Sequence, residues 1–200
     1  MTKTASALFK SREKPCRLSP FILMTDPKVI TDIFSVIEGL PENAGIIYRH
    51  FGKADRKQEA EKLRNITFRK NQQLLIGADP DLAIAVGADG VHFKRDAAIK
   101  LPQLWRKRCP DWIITMAGIK SGAYSGDLSV LDGLLISPVF QSQSPSAGAP
   151  IGVSNFSAQI QTLKCPVFAL GGIHEQTAPE LIGTGAYGLA GIRGFSQSRN

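Results

Sequence analysis

Two apolar runs that break into glycine carry the strongest chemical signal in this sequence: Val167-Phe-Ala-Leu-Gly-Gly-Ile173 and Gly188-Leu-Ala-Gly-Ile-Arg-Gly194. Each reads as a buried strand ending in exposed backbone amides. Glycine lets the main chain take positive φ and lets a ligand approach it closely, and the N–H groups that follow point at an arriving anion. Two such ends side by side predict a phosphate cradle made of Gly171, Gly172, Gly191, Ile192, Arg193 and Gly194. The plainer reading, that Gly171 and Gly172 only make a tight turn before a helix, is disfavoured because the pattern recurs one strand later and brings Arg193 with it.

Such strand ends need a sheet that aligns them. Apolar runs at 21–25, 45–48, 73–76, 90–93, 112–117 and 133–137 read as six earlier strands. Between them lie helical patterns: Val29, Ile30, Ile33, Phe34 and Ile37; a charged stretch from Ala54 to about Lys70; Leu82, Ala83 and Val86; and Leu101, Leu104 and Trp105. A short, weak helical segment precedes strand six, 156–163 is helical, and a helix is expected between strands seven and eight. Strands this apolar have no wet face, so they belong to a parallel sheet covered by helices. Eight units favour closure into a single (β/α)8 TIM barrel, and the first strand has no Gly-x-Gly-x-x-Gly to suggest a dinucleotide fold. Residues 21–200 are assigned to the barrel. Residues 1–20 are assigned to an N-terminal extension, a frayed tail or an extra helix over the barrel floor in preference to a weak transit-like segment.

In such a barrel the residues just after each strand share one rim. The polar ones there are Arg49, His50, Asp79, His92, Asp96, Lys120, Ser142, Ser144 and Arg193. Each also has a structural reading: His92 as a hydrogen-bonded core histidine, His50 as an exposed one, Asp79 and Asp96 as caps of the helices that follow. Lys120 is harder to explain that way. A lysine at a strand end facing the mouth is either a phosphate contact or an acid/base group. The longest loop, 138–152, is rich in Ser, Pro, Ala and Gly and reads as an active-site lid.

Composition narrows the partners. The net charge of +7 belongs wholly to the first part of the chain: from Ser121 onward there are three basic and four acidic residues, leaving 21 basic and 13 acidic before it. Much of that charge lies on expected outer helices, at 53–70 and 106–108, without aromatic interleaving, so no nucleic-acid partner is expected. No apolar run approaches the roughly 18 residues of a membrane span, and residues 1–20 lack the apolar region of a secretory signal. Three scattered cysteines, Cys16, Cys109 and Cys165, support neither a disulfide framework nor a zinc site and fit a reducing cytoplasm.

Four segments together, Gly87-Ala-Asp-Gly-Val-His92, Ser137-Pro-Val-Phe140, Ala169-Leu-Gly-Gly-Ile173 and Gly185-Ala-Tyr-Gly-Leu-Ala190, resemble the strand motifs of thiamine phosphate synthases and their thiazole tautomerase relatives. The resemblance runs from about the second strand to the end. It implies a (β/α)8 barrel whose glycine loops hold a thiazole phosphate. It also implies a transferase of thiamine biosynthesis, in which a Mg2+-bound pyrophosphate leaves an aminopyrimidine methylene and the thiazole nitrogen captures that carbon. The implied partners are small phosphorylated thiazole and pyrimidine ligands; a homodimer is compatible with it.

The motifs also depart from that pattern. Where the family has Asn-Asp after strand three, this chain has Gly77-Ala78, with Asp79 displaced by one position; a second magnesium carboxylate would fall at Ala97, beside Asp96. Asp79 and Asp96 are thus the metal candidates, both out of register. After strand six, Thr-x-Thr-Lys becomes Ser142-Gln-Ser144-Pro145, which keeps two hydroxyls and loses a pyrophosphate-binding lysine. Arg49 matches the arginine after strand two, Ile47 replaces a glutamine, and Gly118 replaces a serine. Lys120 stands where tautomerases place a histidine. The expected catalytic residues are therefore Lys120, Arg49 and His92. Metal-free tautomerisation of a thiazole phosphate and non-catalytic binding of a phosphate ligand are the alternatives to synthase chemistry.

Overall fold

The computed structural model describes residues 2–10, 16–97, 99–118, 127–144 and 148–193. Eight strands form a closed parallel barrel in sequence order: β1 (Phe21–Met24), β2 (Gly45–Tyr48), β3 (Gln73–Gly77), β4 (Gly90–Phe93), β5 (Ile113–Ala117), β6 (Gly133–Ile136), β7 (Val167–Leu170) and β8 (Gly188–Gly191). Closure is made by β1 against β8, with Phe21 opposite Leu189 and Leu23 opposite Gly191. This is the expected TIM barrel, with all eight strands where the apolar runs lie.

Side chains alternate across each strand, so one face fills the barrel and the other meets the helices. Ile22, Met24, Ile47, Leu75, Ile113, Leu135, Phe168 and Ala190 form one buried cluster with Leu18 and Tyr187. Their neighbours Leu23, Ile46, Leu74, Ile76, Ile114, Leu134, Ala169 and Leu189 belong to a separate layer with helical residues such as Ile37, Leu63 and Phe156. The interior is packed rather than hollow because a large ring meets missing side chains. A Cβ on Gly133 or Gly188 would stand 2.8 Å from the Phe168 ring.

The outer layer contains α1 (Thr2–Lys10), α2 (Ile33–Glu38), α3 (Arg56–Arg69), α4 (Pro80–Ala85), α5 (Lys100–Arg108) and α6 (Val153–Gln161), with 3-10 turns at Leu128–Val130 and Ala178–Leu181. Two differences from expectation have local causes. The crossover from β7 to β8 is a single 3-10 turn, because Pro179 opens it and Gly183, at φ 83°, ends the segment almost at once. Helix α2 starts only at Ile33, where the Asp32 carboxylate accepts from the Ser35 N–H; Val29 and Ile30 sit in the preceding turn.

An N-terminal helix does form, but it lies against β8 and the 178–181 turn, with Ala5 and Leu8 buried. The barrel floor is closed instead by the segment just before β1. Leu18 inserts into the interior cluster, the Arg17 guanidinium donates to the carbonyls of Asp111 and Trp112 at 2.6 Å, and the Ser19 N–H donates to Gln73 Oε1 at 2.8 Å. The opposite end, where every strand terminates, is the mouth of the barrel. Among the described residues no helix is long and apolar enough to cross a membrane.

Candidate active site

Arg49 enters the mouth from the end of β2. Its backbone N–H donates to Thr25 Oγ1 at 2.8 Å, its Nε–H donates to the Thr25 carbonyl at 3.0 Å, and Nη2 lies 4.0 Å from Asp26 Oδ2. The side chain is 28% exposed. Burial pushes its pKa down and Asp26 opposes that shift, but a guanidinium stays charged in proteins. The result is a fixed, half-desolvated cation, which attracts an anion more strongly than one in bulk water. Thr25 is a component that sequence reasoning missed; its place at the end of the first apolar run was the available signal.

The end of β3 shows what surrounds Arg49. A Cβ on Gly77 would stand 3.2 Å from Arg49 Cγ, 3.2 Å from Phe51 Cζ and 3.0 Å from the Tyr48 carbonyl. Arg49 and the tip of Phe51 therefore lie together over a glycine. The next residue, Ala78, takes φ 55°, and its N–H donates to the His92 carbonyl at 2.8 Å.

His92 is not on the rim. It lies within β4 on the same inward face as Gly90, is 4% exposed, and pairs through Nδ1 with Thr115 Oγ1 of β5 at 2.9 Å. Burial, reinforced by the nearby Arg49 charge, pushes its pKa down to about 3. It is thus a neutral hydrogen-bonding group near neutral pH. Thr115, which orients it, was also missed.

Asp79 behaves as a helix cap. Its Oδ1 accepts from the Leu82 N–H at 3.0 Å at the start of α4, and Oδ2 is taken by the Arg56 guanidinium, which also donates to the Gly77 carbonyl at 2.9 Å. Asp96 is exposed on the turn after β4. Among the described residues no three His, Cys, Asp or Glu side chains converge on a point that would hold a metal ion. The Asp79 oxygens are already engaged by an N–H and a cation, so this carboxylate would have to give up a partner to hold a magnesium ion.

The glycine loops lie on the other side of the mouth, two and three strands round the ring from Arg49. Gly171 and Gly172 take φ 93° and 67°. A Cβ on Gly171 would meet Pro138 Cβ at 2.6 Å; one on Gly172 would meet the Gln141 carbonyl oxygen at 2.3 Å. The loops after β6 and β7 are thus one packed unit, held by Val139 N–H to the Leu170 carbonyl at 3.0 Å and Phe140 N–H to the Gly171 carbonyl at 3.1 Å. The same unit fixes Ser142, whose Oγ accepts from the Ser144 N–H at 3.3 Å. The expected lid is anchored at its base by Ile151 N–H to the Pro138 carbonyl and Gly152 N–H to the Val139 carbonyl. While the carbonyls are occupied, the N–H groups of Gly172, Ile173 and Ile192 donate to no partner among the described residues. Gly191 is buried at the end of β8, and Arg193 is exposed beyond it. Lys120 and Gly194 lie outside the described residues.

His50 faces away from the mouth. It is 3% exposed, and its Nδ1 meets Glu59 Oε2 of α3 at 2.7 Å. The same carboxylate accepts from Tyr48 Oη at 2.6 Å and from Lys53 Nζ at 2.6 Å. Burial alone would raise the Glu59 pKa, but hydrogen bonds from Lys53, Tyr48 and His50 hold it below the usual carboxylate range. This buried knot ties the segment carrying Arg49 and Phe51 to α3. The two thiols at 16 and 165 are pushed up by burial, Cys165 to about 12, which leaves them poor nucleophiles.

Comparison with known proteins identifies the family. Residues 25–195 match the family model described as thiamine monophosphate synthase. A Geobacter sulfurreducens protein provisionally named a thiamine-phosphate synthase is 35% identical over 135 residues, 66% of this chain and 62% of that protein, so the match spans less than two thirds of its length. The thiamine-phosphate synthase of Chloroflexus aurantiacus is 32% identical over 147 residues, covering 71% of this chain and 66% of that one. Among solved structures, a thiamine phosphate pyrophosphorylase from Pyrococcus furiosus superposes with TM-score 0.69 at 25% identity, covering 86% of this chain and 84% of that one. By family match, sequence identity and barrel, the chain belongs to the thiamine monophosphate synthase family, transferases of thiamine biosynthesis.

Proposed function

We propose that this protein couples an aminopyrimidine pyrophosphate to a thiazole phosphate, giving thiamine phosphate and free pyrophosphate. The observation that carries this reading is the presence of two separate anion grips on one mouth: the fixed guanidinium of Arg49, and the open amides of Gly172, Ile173 and Ile192 two and three strands away. A tautomerase needs one phosphate grip. A coupling enzyme needs two, one for each substrate.

In this reaction the C–O bond between the pyrimidine methylene and pyrophosphate breaks, and both electrons leave with oxygen. The thiazole nitrogen lone pair then forms the new C–N bond. Arg49 stabilises charge developing on the departing pyrophosphate, the effect that usually contributes most in such sites. Ser142 and Ser144 are assigned to the pyrophosphate as hydroxyl donors, and the amides with Gly171, Gly191, Arg193 and Gly194 to the thiazole phosphate. Neutral His92 suits this chemistry, since a protonated imidazole would repel the electron-poor methylene. Lys120 is assigned to leaving-group contact or proton transfer. Because Asp79 is engaged by the Leu82 N–H and Arg56, no step is assigned to a magnesium ion.

Calorimetric titration with thiazole phosphate, aminopyrimidine pyrophosphate and thiamine phosphate, each with magnesium and with chelator, tests the two-grip reading. All three are expected to bind. Thiazole phosphate affinity should change by less than about threefold, under 1 kcal/mol, between the two conditions. Binding of thiazole phosphate alone would contradict the coupling assignment and favour metal-free tautomerisation.

A further inference from the structure

We infer that Phe51 and Lys94 form a heteroaryl-anion subsite on the β2–β4 side of the mouth, Phe51 stacking on the ring of a planar substrate and Lys94 closing on its anionic group. The inference rests on the two-substrate reading above and assigns this subsite to the pyrimidine pyrophosphate. Phe51 is a large apolar side chain that stays 49% exposed on the loop just beyond Arg49. Its position is specified rather than incidental, because Gly77 leaves room for the ring tip and the Arg49 stem: a Cβ there would stand 3.2 Å from Phe51 Cζ and from Arg49 Cγ.

Two cations attend the ring. Arg56 Cζ is 5.4 Å from its centroid and Lys94 Nζ is 5.1 Å from it. They differ in freedom. Arg56 is anchored by Asp79 and the Gly77 carbonyl, with its side chain 15% exposed, so it fixes the ring in place. Lys94 is exposed, and its ammonium makes no hydrogen bond or ion pair among the described residues. An exposed ammonium over an aromatic face is held weakly, and its flexible stem lets it yield that face to a planar ring and pair with the ring's phosphate. The charge pattern of the rim points the same way. Arg49, Lys94 and Arg95 crowd the ends of β2 and β4, whereas residues 138–152 after β6 carry no charged side chain at all. Asp26 and Asp79 lie near Arg49 and Arg56, which leaves the Lys94 ammonium as the cation at the Phe51 ring without a carboxylate partner among the described residues.

The test compares Phe51→Leu, Phe51→Trp and Lys94→Gln with the wild type by calorimetric titration of aminopyrimidine pyrophosphate, inorganic pyrophosphate, thiazole phosphate and thymidine monophosphate. Circular dichroism and urea unfolding confirm that each variant is folded. Phe51→Leu should weaken aminopyrimidine pyrophosphate at least about fivefold, the lower end of a lost aromatic stack, and leave inorganic pyrophosphate unchanged. Phe51→Trp should bind like the wild type, and Lys94→Gln should weaken both pyrophosphate compounds. If the wild type binds thiazole phosphate or thymidine monophosphate but not aminopyrimidine pyrophosphate, the coupling reading fails. The subsite then stands only if Phe51→Leu weakens that other heteroaryl phosphate. Equal affinities in Phe51→Leu and wild type, or a wild type that binds no heteroaryl phosphate, overturn the subsite.

Discussion

Gly172→Ala is expected to lose at least about 3 kcal/mol of stability and all measurable thiazole phosphate binding, combining a left-handed backbone cost of roughly 1–2 kcal/mol with a steric one. The steric part follows from a methyl that would stand 2.3 Å from the Gln141 carbonyl oxygen and 2.8 Å from Phe140 Cβ. Backbone cannot swing aside as a side-chain tip can, so the loops after β6 and β7 must separate. That separation moves the Gly172 and Ile173 amides out of register with the Ile192 amide. Gly87→Ala is the matched control, because Gly87 takes nearly the same φ, 64°, and a Cβ there meets nothing within 4 Å. It should cost only about 1–2 kcal/mol, the backbone part alone. Urea unfolding of the two variants beside the wild type measures the difference. A Gly172→Ala protein no less stable than Gly87→Ala would show that the two loops are not packed as described.

Arg49→Ala is expected to lower turnover by about 100-fold or more, the range seen when one preorganised donor to a developing negative charge is removed. The fold should survive, since leaving the carbonyl of fully buried Thr25 unpaired costs about 1–3 kcal/mol. Thiazole phosphate affinity should be unaffected because the grip proposed for it lies on β7 and β8. Arg49→Lys should restore part of the rate. Its single point charge cannot reproduce both the bond to Thr25 and the contact with the leaving group. Steady-state kinetics with titration of each substrate separates these effects. A variant within about threefold of wild-type turnover, a change under 1 kcal/mol in the barrier, would remove Arg49 from the mechanism.

The barrel was legible because parallel strands buried on both faces read as short, nearly continuous apolar runs, and glycine or proline ended most of them. The roles of single polar residues were less legible. His92 stands one residue from the end of a four-residue strand, so counting along the chain put it near the rim; its shared inward face with Gly90 puts it inside. Asp79 followed by Pro80 carried the signature of a helix start, and that reading describes it better than the metal assignment. Its partner Arg56 lies 23 residues earlier, on α3, and only the closed barrel brings them together. The glycine pattern behind the proposed anion cradle was readable, but the packing that also requires those glycines was not. Gly171 and Gly172 are small because the loop after β6 presses on them, and no spacing rule along one segment reports a contact made by another. Phe51 and Thr25 escaped for the same reason, since each owes its role to a neighbour on an adjacent strand.

The most direct test of the account is to incubate the full chain with aminopyrimidine pyrophosphate and thiazole phosphate in magnesium-containing buffer and follow both products by mass spectrometry and a pyrophosphate assay. The account predicts thiamine phosphate and pyrophosphate appearing in equal amounts, with both lost together in Arg49→Ala. Wild-type protein that binds both substrates and yet forms no thiamine phosphate above the uncatalysed rate would contradict it.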